Sequence, residues 1–132
     1  MIALLLCLFL CAASAAAQVT YQDLLKADAN NWLSYSGSYG AQRHTALKQI
    51  HTGNVESLMT KWIYHLEGSR RLEAVPVVVN GVMYVSQPNE VTALDARSGR
   101  LIWRYQRTVA NAQGVNRGVA VYGNKEIGRA HV

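Results

Sequence analysis

From residue 74 to residue 106, short apolar runs alternate with turn residues at nearly even spacing, and the pattern reads as four β-strands in succession. In "AVPVVVNGVMYVS" two apolar runs flank Asn80 and Gly81, a pair that accepts positive φ at both central positions of a tight hairpin. Pro76 stands at the start of its strand, where a missing N–H costs least. "QPNE" then makes a turn, "VTALD" a third strand, "ARSG" another turn and "RLIWRYQ" a fourth strand. In that last turn Asp95 is placed to accept from the turn amides, and Gly99 supplies the left-handed position.

Upstream the period changes. "TYQDLLKADAN" carries Thr20 as N-cap with Asp23 three residues on, and Tyr21, Leu24 and Leu25 share a face, which predicts a short helix. "NWLSYSGSYGAQ" has the composition of an ordered loop, which Trp32, Tyr35 and Tyr39 are expected to pin. "QIHTGNVESLMTKWIYHL" predicts a second brief helix, capped by Thr52 or Asn54, and a strand over 61–66. The opening is different again. Ile2 to Ala13 is an unbroken apolar run followed by small residues, and Ala15 and Ala17 give the A-x-A pattern of an export signal over 1–17, with cleavage before Gln18. The run is shorter than the about 20 residues a transmembrane helix needs, and no later stretch is apolar enough to span a bilayer.

A single four-stranded meander has two faces to bury, which it achieves when copies stack. The sequence contains such a copy. Trp62 and Tyr64 of "KWIY" recur 41 residues later as Trp103 and Tyr105 of "IWRY", and Val77–Val79 recur 42 residues later as Val119–Val121. A period near 40 to 45 residues per four strands is that of a β-propeller blade. The fold class expected is therefore all-β: a propeller of four-stranded antiparallel blades, with Trp103 packing between neighbouring blades.

Charge and cysteines narrow the setting. The chain has 13 Lys and Arg against 8 Asp and Glu, a net charge of +5, and residues 1–17 carry none of it. The positive charge is spread without a basic cluster, which argues against nucleic-acid binding and leaves steering of an anionic cofactor or partner as its use. Both cysteines, Cys7 and Cys11, lie in the leader, so the exported chain has no thiol with which to form a disulfide or hold a metal. Leu10 stands before Cys11, where lipid attachment asks for a small residue. His44, His51 and His65 lack metal-ligand spacing, so no zinc site is expected. Export without disulfides suits a bacterial periplasm.

"ALDARSGRLIW" resembles the repeat of the pyrroloquinoline quinone (PQQ) dehydrogenases, whose fourth-strand tryptophans tie adjacent blades together. "NWLSYSGSYGAQRHTALKQIHTGNV" is similar to the N-terminal arm of the quinoprotein alcohol dehydrogenases, and "LEAVPVVVNGVMYV" and "VNRGVAVYGNK" to their first blades. The resemblance implies that Glu73 and Arg117 contact PQQ, a planar polyanion whose carboxylates suit the bidentate fork of a guanidinium. It also implies calcium beside the quinone, an alcohol or sugar substrate, and cytochrome c or a membrane quinone as electron acceptor. The calcium ligands, the stacking tryptophan and the catalytic aspartate of the family lie in later blades, so none is assigned to this chain. Many members carry adjacent cysteines before "VNRG"; here Asn111 and Ala112 stand in their place.

On spacing alone Glu73, which follows Arg70 and Arg71, reads as a surface ion-pair residue and Arg117 as a loop arginine. The competing functional class is a noncatalytic propeller, such as the scaffold lipoprotein of outer-membrane protein assembly. The organisation expected is a signal peptide over 1–17, an arm with short helices and a first strand over 18–66, and the first blade with the start of the second over 67–125. After "GVAVYGNK" an apolar strand is due, yet "EIGRAHV" brings Glu126, Gly128, Arg129 and His131. Residues 126–132, which also translate a common sequencing-adapter prefix, are expected to be non-native.

Overall fold

The structure, a computed structural model, describes residues 19–26, 28–67, 71–108 and 115–128. The export signal of 1–17, Arg70, Asn111 and Ala112 lie outside the described residues.

Four strands form one antiparallel sheet in sequential order: β1 (Val77–Val79), β2 (Val82–Gln87), β3 (Glu90–Asp95) and β4 (Leu101–Gln106). Local turn chemistry fixes each connection. Asn80 and Gly81 take φ of 49° and 80°, so Val79 pairs with Val82 across a two-residue turn whose twist matches the strands. Pro88 and Asn89, the latter at φ 58°, close the next hairpin, with Gln87 opposite Glu90. At the third connection Asp95 Oδ1 accepts from the amides of Arg97 and Ser98, at 3.1 and 2.8 Å, and from the Ser98 hydroxyl at 2.7 Å. These bonds, those from Ser98 foremost, hold the Asp95 carboxyl below the usual range. Gly99 completes the turn at φ 72°.

The tryptophan of 61–66 uses this turn. Trp62 Nε1 donates to the Ala96 carbonyl at 3.2 Å, and a Cβ placed on Gly99 would come within 2.6 Å of the Trp62 ring. Trp62, 41 residues before Trp103, thus packs on the last turn of the first sheet. Trp103 itself lies at 5.9 Å and 52° to Tyr84 and keeps an exposed face. Gly99→Ala should therefore destabilise the protein by about 1 to 2 kcal/mol more than Gly81→Ala, the lower part of the overpacking range because a half-buried ring has room to shift. Gly81 shares the positive φ but has open space around it, so the difference isolates the packing. Equal urea midpoints for the two variants would show that Trp62 does not bear on the turn.

Three expectations are corrected. Residues 61–66 belong to neither sheet; burial alternates along them, with Trp62, Tyr64 and Leu66 half-buried, but the segment has no ladder partner among the described residues. A strand is defined by its neighbour, and side-chain alternation alone does not supply one. The second helix is a single 3-10 turn, Val55–Ser57, with Asn54 at its N-cap position. Asn54 acts just upstream, accepting from the His51 amide at 2.9 Å and donating to the Gln49 carbonyl at 2.8 Å. Tyr35 and Tyr39 are exposed; the loop is pinned by Trp32 and by buried Leu33.

The first helix, Tyr21–Leu25, has the expected capping box between Thr20 and Asp23, and of its apolar face only Leu24 packs on the core. The arm is then stitched to both sheets by paired backbone bonds: Trp32 with Val78 at 2.8 and 2.9 Å, and Val19 with Gly123 at 3.1 and 2.8 Å. Val19, Leu33, Val77, Val79 and Val121 form the core between them, joined by Leu24, Tyr84 and Val119.

The second sheet pairs β5 (Val119–Tyr122) with β6 (Lys125–Gly128). Residues 126–128, read from sequence as the start of a non-native tail, thus pair through their backbone, which accepts any side chain. The Glu126 side chain sits poorly there. Glu126 is half-buried, one of its carboxylate oxygens has no partner, and burial pushes its carboxyl above the usual range. Residues 129–132 lie outside the described residues.

Candidate functional site

Glu73 and Arg117 are 44 residues apart in sequence, and the fold brings them together. Each lies in the segment that leads into the first strand of a repeat, Glu73 four residues before Val77 and Arg117 two residues before Val119. Because β1 and β5 are equivalent strands of successive repeats, their leading segments emerge side by side. A Cβ on Gly118 would lie 3.5 Å from the Val75 carbonyl oxygen.

At this rim Arg117 Nε stands 3.5 Å from Glu73 Oε2, and Arg71 Nη1 stands 3.8 Å from Glu73 Oε1. Glu73, read from spacing as a surface ion-pair residue following Arg70 and Arg71, is therefore paired with Arg71 and also with Arg117, which spacing did not indicate. Exposed ion pairs contribute only about 0 to 1 kcal/mol, so stability does not explain the arrangement. What it offers is charge: two guanidiniums flank one carboxylate, and the more exposed face of Arg117 is open to an anion. The Arg117 side chain is 65% exposed.

The residue before Arg117 is buried and polar. Asn116 is buried, and its Oδ1 accepts from the Ser86 hydroxyl at 2.9 Å and from the Gly118 amide at 3.0 Å. Next along β2, Gln87 Nε2 donates to the Glu67 carbonyl at 3.0 Å, while Gln87 Oε1 is buried without a partner. Thr92 donates to the buried Glu90 carboxylate at 3.1 Å. Sequence reading passed over Ser86 and Asn116; the one available signal was a serine closing the apolar run "VMYV". Among the described residues, clefts of about 390 and 370 Å³ open on the surface, and Asn116 lines the second; Glu73 and Arg117 are not among the residues lining these two. His51 Nδ1 accepts from the Gly53 amide at 3.1 Å in a local turn. Among the described residues no three His, Cys, Asp or Glu side chains gather as a metal site, and no helix is long and apolar enough to cross a membrane.

The family model for the β-propeller domain of PQQ glucose, ethanol and alcohol dehydrogenases matches residues 32–131. The chain is 46% identical over 103 residues to the quinohemoprotein alcohol dehydrogenase ADH-IIG of Pseudomonas putida, a match covering 72% of this chain and 14% of that protein. The solved structure of that enzyme superposes with a TM-score of 0.76 at 41% identity, covering 86% of this chain and 18% of that one. The quinohemoprotein alcohol dehydrogenase of Comamonas testosteroni superposes with a TM-score of 0.72 at 36% identity, covering 84% of this chain and 18% of that one. This chain spans less than a fifth of the length of these relatives. From the arm residue Trp32 through both sheets, the chain belongs to the PQQ glucose, ethanol and alcohol dehydrogenase β-propeller family.

Proposed function

We propose that this chain is the N-terminal part of a periplasmic, PQQ-dependent dehydrogenase that oxidises an alcohol or sugar and passes electrons to cytochrome c or a membrane quinone. Residues 1–17 serve as its export signal, 18–66 as its arm, and 67–125 as its first blade and the start of the second. The reading is carried by the meeting of Glu73 and Arg117 at 3.5 Å, where the leading segments of two successive blades converge.

The donor chemistry of that rim fits PQQ. Arg117 is exposed, and its planar fork suits a ligand carboxylate. Glu73 takes up part of the positive charge of Arg71 and Arg117 and restrains both side chains. Bound PQQ supplies a two-electron acceptor for oxidation of a substrate C–H. The residues of this chain bind and orient; calcium ligands and the base come from later blades. The relatives matched are alcohol dehydrogenases by name.

The complete protein, loaded with PQQ and calcium, should oxidise a member of a panel of alcohols and sugars with an artificial electron acceptor. The preparation without PQQ should be inactive. A protein that is folded but neither binds PQQ nor oxidises any member of the panel would return the reading to a scaffold.

A further inference from the structure

The residues on either side of Arg117 are both fixed. Asn116 is 5% exposed and bridges the Ser86 hydroxyl and the Gly118 amide through one oxygen. Ser86 is 1% exposed and lies opposite Val91 inside the β2–β3 ladder, so its hydroxyl has a set position. Gly118 adopts φ 137°, which side-chain-bearing residues rarely take, and its Cα faces the Val75 carbonyl oxygen. Consecutive Cα atoms are 3.8 Å apart across a trans peptide, so a residue held at both neighbours has little freedom in where its own side chain begins.

The repeat supplies an internal comparison. At the 42-residue offset Asn116 corresponds to Ala74, Arg117 to Val75 and Gly118 to Pro76. The first blade, with no arginine at this place, has no asparagine before it and no glycine after it. Clamp and arginine occur together, in the same repeat, with the clamp anchored on a strand of the preceding blade.

We infer that Ser86 and Asn116 are positioning residues for Arg117. Their buried hydrogen bond sets the start of the side chain so that the guanidinium meets a PQQ carboxylate with little conformational loss on binding. The inference rests on the PQQ reading given above and deepens it. A polar pair that merely filled a buried space would act on folding and leave cofactor affinity untouched.

The test is a double-mutant cycle in the complete, calcium-loaded protein, read by PQQ titration and by melting of the cofactor-free form. Ser86→Ala and Asn116→Ala should each raise the Kd roughly three- to tenfold when Arg117 is present, and by less than about twofold in the Arg117→Ala background. Ser86→Thr, which keeps the hydroxyl, should restore affinity. Should Asn116→Ala fail to fold, the milder Ser86→Ala carries the cycle. Equal losses in both backgrounds, or wild-type affinity in the single variants while Arg117→Ala is impaired, would overturn the clamp alone. Unchanged affinity in Arg117→Ala would overturn the cofactor reading, and the clamp with it.

Discussion

Replacing Arg117 by alanine in the complete protein should weaken PQQ binding roughly 10- to 150-fold, the equivalent of the about 1.5 to 3 kcal/mol carried by hydrogen bonds to a charged group. The size follows from what remains. Without Arg117 the rim loses its exposed guanidinium, while among the described residues Glu73 keeps its ion pair with Arg71 at 3.8 Å. Arg117→Lys should fall between wild type and alanine, because an ammonium restores the charge but not the two-pronged geometry. Glu73→Gln should act more weakly, since it releases the guanidiniums without removing either. The measurement is titration of PQQ into calcium-loaded protein at moderate ionic strength. Wild-type affinity in Arg117→Ala would remove this residue from the cofactor site.

How far the sequence disclosed this arrangement depended on how local each feature was. The turn at Asn80 and Gly81 and the Asp95 to Gly99 turn are written in four or five adjacent residues, and both formed as read. The helix after Thr20 was equally local, its cap lying three residues from its partner. Residues 61–66 have the alternation of a strand, yet strand formation needs a partner, which no property of the segment specifies. Aromatic composition marked the arm loop as pinned but not by which ring: only Trp32 reaches the free edge of β1, where its backbone pairs with Val78. The Ser86–Asn116 bond spans 30 residues and leaves no periodic trace. Glu73 and Arg117 came together in the sequence only as two cofactor contacts implied by family resemblance, and spacing by itself pointed Glu73 to Arg70 and Arg71.

The same non-locality governs what happens to this polypeptide alone. Residues 18–132 expressed in isolation should aggregate or remain partly unfolded, and should show no dehydrogenase activity. In this fold every residue of β4 is exposed, Leu101, Ile102, Trp103 and Tyr105 among them. Beyond β4, Met59 is 90% and Ile63 70% exposed on a segment that has no ladder partner among the described residues. These surfaces adjoin an open strand edge, the combination that drives edge-to-edge association. In a closed ring the repeat gives each of them a neighbour. Trp62 already sits on the turn of the first blade, and by the 41-residue offset Trp103 is placed for the corresponding turn of the second. The half-buried Glu126, with an unpaired carboxylate oxygen, adds a further cost at β6 that an apolar residue would not incur. Size-exclusion chromatography and urea unfolding provide the measurement. A monomer that unfolds in one cooperative transition would show that the arm and these two sheets suffice as a folding unit, and genomic DNA encoding "EIGRAHV" at this position would make the tail native.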